Sequence, residues 1–595
     1  MNIQTQYSIL QALLSPEDAV KLAKARGYDK LILCDRNGMG GIVEFYKTCK
    51  KQEIKPIFGV CLKVCEYDSI DKGEHNLMYD LYLVAKTQVG YKNILKIVSL
   101  ANDHTRVLDT PYQRVARIHL NDITHLTEGV ACLIGEEGTE LERNKGFEEY
   151  TVSKYQKIFP EVLLQDCKST KSSLEYGMKR ILWHTMCYAE PEDKRDQHIL
   201  LSTFMGCFLK DLPERVKKDW PDFNKYISDD DHSLPMRGDL HKYHSEEVLR
   251  NTEEFLSSVE DFSILSPPKI PKFDCPDGMS QKEYLTYLCR LGWIRRFKDK
   301  EWKEGEKEKY TERVKYELDV LQGCNLDGYF LIVQDYINWA KRQGWLVGHG
   351  RGSCSASIIA YLLGITEVDP MIYNLLFERF YSADRASTDT PSLPDIDTDF
   401  PKYKRGEVIS YIEQKYGKNR VGHIATFGTL QSKAALKAVL KAHESFPLSK
   451  IDKITRTIPQ KDKISDLMEE QKEDCTLMFT LMNYPDILKE LATIQRDGDK
   501  IQIVGEYAYQ VEQAIRLEGC ICNYGSHASG ILVAESDLEN FGPMMISAKG
   551  EDKLVGLDMN ASAEVSLVKL DILGLSNLDS LMEMRALLLG ESDDQ

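Results

Sequence analysis

The chain has no long hydrophobic run, no basic leader and no excess of positive charge. Its longest apolar stretch, around residues 357–365, is too short to span a bilayer, and residues 1–4 do not start a basic, apolar signal. We therefore expect a cytoplasmic protein without a membrane partner, in a bacterium or, if the gene is viral, in its host.

Cysteine pairing and basic character are also missing. The 15 cysteines are scattered and never form two Cys-x-x-Cys units at zinc-finger spacing, so reduced structural thiols are expected rather than disulfides or zinc. The formal net charge of −17 argues against a generally basic nucleic-acid-binding protein. Any DNA contact must then be local, on a positive face. The length of 595 residues predicts several domains, each with its own core.

Alternating strand and helix patterns occupy the first 265 residues. Short apolar segments predict strands at residues 29–35, 55–60 and 81–85, and amphipathic segments predict helices at 16–26 and 43–51. This order is typical of a parallel α/β domain or barrel. A proline-rich stretch at residues 266–278 predicts the boundary of this part, because proline continues neither a helix nor a central strand.

Three carboxylates alternate with apolar or small residues in the segment 394–400. In a β-strand, this alternation places Asp395, Asp397 and Asp399 on one face. Carboxylates so close together repel one another unless a cation lies among them, and a hard divalent ion such as Mg²⁺ is the usual solution. A solvated acidic strand edge is the alternative interpretation.

A glycine-rich turn, Val-Gly-His-Gly-Arg-Gly-Ser at residues 347–353, precedes an apolar segment. We expect Ser353 to cap a helix there, so that backbone N–H groups and the helix dipole suit a triphosphate, with Arg351 as a charged donor. By itself the pattern is more typical of a plain tight turn than of a phosphate site; its position about forty residues before the acidic segment favours the phosphate site.

Positive side chains accompany two later segments. In residues 567–573, Lys569 and Asp571 share one face of a predicted strand, so the lysine could meet a phosphate while the acid meets a metal; a local ion pair is the alternative. In the helical region 428–505, Lys433, Lys437 and Lys441 recur every four residues. They predict a track for duplex phosphates, with a solvated helix face as the alternative.

Eight motifs occur in the order seen in bacterial family C replicative DNA polymerases, and the chain resembles that family. They occupy residues 328–333, 350–353, 375–380, 394–400, 424–429, 516–519, 527–530 and 567–575. The resemblance implies an α/β multidomain fold. It predicts a PHP-like (polymerase-and-histidinol-phosphatase-like) barrel at 1–265 and a polymerase-beta-like nucleotidyltransferase palm at 266–427 and 506–575. It also predicts a helical thumb at 428–505 and the start of truncated fingers at 576–595.

The resemblance also implies site residues. Asp397, Asp399 and Asp571 are expected to bind two Mg²⁺ ions and to act in catalysis together with Lys569, while Asp395 supports them. Such ions, about 3.5–4 Å apart, lower the pKa of a primer 3′-hydroxyl and stabilise a pyrophosphate leaving group. The implied substrates are primer–template DNA and deoxynucleoside triphosphates.

Two further roles follow from the resemblance. The phosphates of the nucleotide are expected at Gly352 and Ser353, with Arg351 beside them. In the N-terminal domain, where relatives can hold a metal cluster, amides, a guanidinium and a thiol replace most ligands, and we expect a metal-free, structural domain. The matching positions are Asn2, Gln4, Gln11, Arg36, Cys61 and Asp80.

The family continues beyond the palm through fingers, a clamp-binding region and a nucleic-acid-binding barrel, whereas this sequence stops about twenty residues after Gly574. We therefore expect a second polypeptide that supplies these parts and through which a sliding clamp could be reached. The alternatives are a non-catalytic DNA-binding or regulatory relic and an untemplated nucleotidyltransferase.

Overall fold

A computed structural model describes residues 1–65, 78–103, 108–109, 114–136, 138–143, 146–166, 177–220, 223–228, 230–382, 393–497, 500–547 and 553–589. Its contacts divide the chain into two compact units. Unit 1 comprises residues 1–262, 427–525 and 543–550, and unit 2 comprises residues 263–426, 526–542 and 551–595. None of the described helices combines the length and the apolarity needed to cross a bilayer.

A curved sheet forms the centre of unit 1. In hydrogen-bonded order its strands are Arg180–Leu182, Glu161–Asp166, Val130–Ile134, Met78–Ala85, Lys55–Cys65, Lys30–Arg36, Asn2–Ile3 and Thr185–Met186, with Arg117–Ile118 beside Lys55–Cys65. The first and last strands of this order are separated in sequence by only two residues, which limits the two ends of the sheet to about 11 Å apart. The sheet is therefore rolled almost into a barrel.

Helices cover this sheet, and the strands and helices predicted from the sequence are confirmed with small shifts at their ends. The helices are Pro16–Ala25, Ile42–Lys51, Gln88–Ala101, Glu140–Arg143, Glu148–Ile158, Lys194–Met205, Leu212–Asp219, Asn224–Ile227 and Glu246–Ser258. Central strands such as Met78–Ala85 are buried along their whole length. Their near-continuous apolar sequence follows from having both faces covered.

The helical region after residue 427 packs in unit 1 together with the N-terminal part. Its helices are Ser432–Ala442, Leu448–Arg456, Lys461–Glu470, Thr476–Asn483, Pro485–Leu488 and Ala508–Leu517, with a hairpin of Thr493–Asp497 and Lys500–Val504. Leu436 shares a hydrophobic core with Leu200. Arg516 Nε donates to Asp196 at 2.5 Å, so a charged contact also joins the two parts. The division into barrel, palm and thumb stays a prediction.

Unit 2 contains a mixed sheet covered by helices. The strands that lie wholly or mostly in unit 2 are, in hydrogen-bonded order, Asp397–Pro401, Val568–Leu575, Ile521–Val533, Val421–Thr429 and Lys553–Val555. The helices are Gln281–Phe297, Glu306–Gly323, Asp327–Arg342, Ile358–Leu362, Arg405–Tyr416, Met559–Glu564 and Ser576–Leu589. We call Asp397–Pro401 the acidic strand, Val568–Leu575 the return strand and Ile521–Val533 the long strand. The return strand is parallel to the acidic strand and antiparallel to the long strand.

Candidate active site

Two neighbouring strands bring carboxylates together. In the register of the acidic and return strands, Asp397 lies opposite Asp571. Residues opposite one another in a sheet share a face, so both carboxylates point to the same side. Asp395 lies just before the acidic strand, and Asp395, Asp397 and Asp571 each contribute one carboxylate oxygen to a group whose members lie within 4.8 Å of one another.

Burial sets the electrostatics of this cluster. Asp571 is buried, and its burial together with a hydrogen bond to Asp395 raises the pKa of Asp571 to about 6. Lys569 opposes that shift, because its Nζ lies 2.8 Å from Oδ2 of Asp571. The two residues share one face of the return strand as predicted, and they form the local ion pair given as the alternative interpretation, in which the lysine favours the charged form of the acid.

Asp399 lies on the acidic strand, like Asp397, but contacts the glycine-rich segment. Its Oδ1 is buried without a hydrogen bond, although Arg351 Nε is 3.4 Å away. Burial, with a contribution from Asp397, raises the pKa of Asp399, and Arg351 opposes the shift. A Cβ added to Gly348 would lie 2.7 Å from Cβ of Asp399, so only glycine allows this approach.

These observations fit a divalent cation. Clustered carboxylates with a raised pKa, and a buried carboxylate oxygen that lacks a donor, are stabilised when a hard cation neutralises them. The cluster contains Asp395 in addition to Asp397 and Asp571, whereas Asp399 is placed beside Arg351. The assignment of Asp399 as a ligand and Asp395 as a supporting acid stays a prediction.

The glycine-rich turn differs from its predicted form. Residues Gly352–Ala356 form a 3-10 turn, and Ser357, not Ser353, caps the helix Ile358–Leu362. The N–H groups of Ile358 and Ile359 donate to the buried carboxylate of Glu317 at 3.1 and 3.2 Å. The expectation that this helix offers its dipole to a phosphate is therefore wrong, because the protein's own carboxylate already takes that position.

The remaining part of the turn lies close to the acids. A Cβ added to Gly352 would lie 3.7 Å from Oδ2 of Asp397, and the Arg351 guanidinium is 3.6 Å from the other oxygen of that carboxylate. Ser353 is exposed beside them. Phosphate binding by these three residues stays a prediction, supported by their position and not by a helix dipole.

Lys433, Lys437 and Lys441, which we call the lysine ridge, lie on the helix Ser432–Ala442. Lys437 and Lys441 are exposed and Lys433 is half-buried, while Leu436 and Leu440 face the core. Lys437 forms an ion pair of 2.6 Å with Asp452, which partly neutralises the ridge. Such an exposed pair is weak because water screens it, so a DNA phosphate could displace it. The role of the ridge stays a prediction.

All six positions where the resemblance places former metal ligands are buried in unit 1. They are Asn2, Gln4, Gln11, Arg36, Cys61 and Asp80. Sequence reasoning missed two further residues beside them, Lys63 and Lys225. Neither belongs to a recognised motif, and only the fold brings them to Asp80.

Three cations surround Asp80. Arg36 donates to both of its oxygens at 2.6 and 2.8 Å, Lys63 Nζ lies 2.6 Å away, and Lys225 Nζ lies 3.7 Å from Asp80 and 3.4 Å from Glu136. Burial would raise the pKa of Asp80, but the cations outweigh it and hold the pKa well below its usual range. A metal ion would be repelled by these side chains, so they do not fit a metal site. The metal-free state stays a prediction.

Comparisons with known proteins match both parts of the chain. Residues 283–574 match the family described as bacterial DNA polymerase III alpha NTPase domain, and residues 1–164 match the PHP domain. A solved amidohydrolase from Chromobacterium violaceum matches 31% of this chain and 86% of its own, at 13% identity and a TM-score of 0.22. That likeness is too weak to support any conclusion.

The curated relatives are DNA polymerase III subunits alpha. That of Aquifex aeolicus (strain VF5) is 30% identical over 641 residues, which cover 99% of this chain and 52% of the relative. Those of Borreliella burgdorferi and Bacillus subtilis (strain 168) are each 31% identical, and each match covers 97% of this chain and 48% of the relative. The chain thus spans about half the length of the curated relatives it matches.

Proposed function

Because this chain belongs to the family of bacterial DNA polymerase III alpha subunits, we propose that it carries the catalytic palm of a DNA-directed DNA polymerase. The observation that carries the proposal is the register that sets Asp397 opposite Asp571, with Asp395 within 4.8 Å of both. Its substrates would be primer–template DNA and deoxynucleoside triphosphates.

Asp397, Asp399 and Asp571 would hold two Mg²⁺ ions. Bound there, the ions would lower the pKa of the primer 3′-hydroxyl and neutralise the charge on the leaving pyrophosphate. Lys569 keeps Asp571 in its charged form and would meet a substrate phosphate with its other N–H groups. No covalent protein intermediate is required.

The surrounding residues would bind the substrates. Arg351, Gly352 and Ser353 lie beside Asp397 and would hold the nucleotide phosphates. The ridge of Lys433, Lys437 and Lys441 would follow the phosphates of the duplex. The N-terminal domain would be structural and free of metal.

A second polypeptide would complete the polymerase. As the family resemblance predicts, it would supply fingers and C-terminal regions that grip the nucleotide and template, and it would lead to a sliding clamp. Primer extension with and without such partner proteins tests this part. DNA binding without extension under every combination would favour a non-catalytic relic instead.

The metal assignment is tested with Asp397→Asn. We expect Mg²⁺-dependent primer extension to fall at least about 10³-fold, because a metal ligand is lost. The melting temperature should stay the same or rise, since the substitution relieves repulsion among carboxylates. Asp319→Asn, an exposed acid on the helix Glu306–Gly323, is the control and should extend primers like the wild type. Full activity of Asp397→Asn would contradict the assignment.

A further inference from the structure

The motif at residues 527–530 places a histidine near the acids. Gly530 on the long strand lies opposite Asp571, and Leu532 lies opposite Lys569. A Cβ added to Gly530 would lie 3.2 Å from Nδ1 of His527 and 3.3 Å from Cε of Lys569. Because that Cβ would point to the face shared with Asp571, the imidazole and the lysine stem both lie over Gly530 on this face.

Backbone contacts determine the tautomer of this histidine. Nδ1 of His527 accepts hydrogen bonds from the N–H groups of Gly530 at 2.9 Å and Ser529 at 3.3 Å. A neutral imidazole that accepts at Nδ1 carries its proton on Nε2. Burial, with contributions from Lys569 and Arg405, lowers the pKa of His527 below its ordinary value of 6.5, so the ring is neutral at pH 7. The half-buried ring therefore presents an N–H donor.

Arg405 contacts the backbone where the pairing of the long strand with the return strand ends. His527 is three residues from Gly530, so regular strand alternation would place its side chain on the opposite face. The Arg405 guanidinium donates to the carbonyl of Ile572 at 2.8 Å and to that of Ser529 at 3.3 Å. Ser529 and Ile572 would form the next antiparallel pair beyond Gly530 and Asp571, and Arg405 donates to the carbonyls of both. The register of the long strand with the return strand ends at Gly530, and His527 lies beyond it with its ring over Gly530.

The two sides of the acidic cluster differ in chemistry. Arg351 and Gly352 contact Asp397 on the acidic strand, which is the side proposed for the nucleotide phosphates. His527 lies on the long strand, and the return strand, which carries Asp571, separates it from Asp397 on the acidic strand. On this side a neutral donor and the Lys569 ammonium are close together, a combination that suits an acceptor-only phosphodiester oxygen.

We propose that His527 is a positioning residue that donates its Nε2–H to a phosphodiester of the primer strand, next to Lys569. The proposal rests on the polymerase function proposed above and adds the contact that holds the primer. A contact to the incoming triphosphate would use the same chemistry, and the experiment distinguishes the two.

The test compares His527→Leu and His527→Gln in the 595-residue chain. Binding of a primer–template duplex is measured by fluorescence anisotropy without Mg²⁺, and the KM for nucleotide is measured in primer extension. We expect His527→Leu to weaken duplex binding about three- to tenfold, the effect of one lost hydrogen bond, with an unchanged nucleotide KM. His527→Gln keeps an N–H donor and should stay within about twofold of wild type. His241→Leu, at an exposed position of unit 1, should bind like wild type.

A modified primer makes the test independent of folding. A neutral methylphosphonate in place of the terminal phosphodiester should weaken binding by the wild type about three- to tenfold more than binding by His527→Leu, because that variant has already lost its hydrogen bond to this phosphate and keeps only the contact of Lys569. The proposal is overturned if the substitution and the methylphosphonate weaken binding additively, or if His527→Leu binds the duplex like the wild type. It is also overturned if His527→Leu raises the KM for nucleotide instead of weakening duplex binding. A wild type that binds no duplex, and extends no primer with any candidate partner protein, would refute the polymerase function itself, whereas wild-type duplex affinity of His527→Leu would refute only the role of His527.

Discussion

Asp80→Asn probes the buried charge network that replaces metal ligands in unit 1. The carboxylate accepts from Arg36 at 2.6 and 2.8 Å and lies 2.6 Å from Lys63 Nζ, and all three side chains are at most 4% exposed. Removing one partner of such a buried ion pair typically lowers the free energy of unfolding by about 3–5 kcal/mol. We expect that loss at pH 7, because Arg36, Lys63 and Lys225 stay buried but lose the anion they share.

The effect should depend on pH in one direction. The pKa of Asp80 is lowered in the folded state, because Arg36, Lys63 and Lys225 outweigh its burial. Such a carboxyl contributes stability above its unfolded pKa of about 3.9, and the contribution is lost as the pH falls through the lower folded value. The stability difference between wild type and variant should be constant from about pH 5 to pH 7 and become smaller below about pH 4.

Urea unfolding monitored by tryptophan fluorescence measures this difference, because two of the six tryptophans, Trp183 and Trp220, are buried in unit 1. Asp261→Asn is the matched control: its ion pair with Lys50 is exposed, so the free energy of unfolding should change by less than about 1 kcal/mol. Chelators should not shift the wild-type midpoint. A difference below about 1 kcal/mol for Asp80→Asn, or one that does not shrink in acid, would refute the reasoning.

Three further substitutions test other parts of the structure. Gly348→Ala should lower primer extension roughly 10²-fold, because the new Cβ would lie 2.7 Å from Cβ of Asp399 and displace that carboxylate. Glu317→Gln should lower the free energy of unfolding of unit 2 in urea by about 1–3 kcal/mol, since glutamine has one acceptor oxygen where the carboxylate has two that accept from Arg313 and from the start of the helix Ile358–Leu362. Lys437→Gln should reduce the slope of log K for DNA against log salt concentration by about 0.9, the value for one lost phosphate contact.

Matched controls separate these effects from general damage. Gly406→Ala places a Cβ where nothing lies within 4 Å, and it should extend primers normally. Glu407→Gln removes an exposed pair with Lys404 and should change the unfolding free energy by less than about 1 kcal/mol. Lys489→Gln, exposed and away from the ridge, should leave the salt slope unchanged. Variants at 348, 317 or 437 that match their controls would contradict the corresponding argument.

Local periodicity made parts of the fold and site predictable. Alternation in residues 394–400 placed three acids on one face, and the same rule placed Lys569 beside Asp571, where their side chains are 2.8 Å apart. The four-residue spacing of Lys437 and Lys441 placed both on the exposed face of a helix. These features depend on backbone geometry over a few residues, which the sequence specifies directly.

The turn at residues 347–353 shows where local reasoning fails. Its glycines and serine resemble a helix start that binds anions, yet Ser357 caps the helix and Glu317 from another helix accepts from its first N–H groups. The local sequence pattern does not show which distant residue will accept from the start of a helix. Here that partner is Glu317, which is buried beside Arg313.

The sequence by itself determined which faces carry acids and lysines, and which ligand positions of the N-terminal domain had changed. Only the tertiary structure decided that Asp397 is opposite Asp571, that Lys63 and Lys225 surround Asp80, and that His527 lies over Gly530. The physical reason is that strand register and buried charge pairing depend on contacts between residues far apart in the chain. Periodicity assigns a side chain to a face, whereas packing selects its partner.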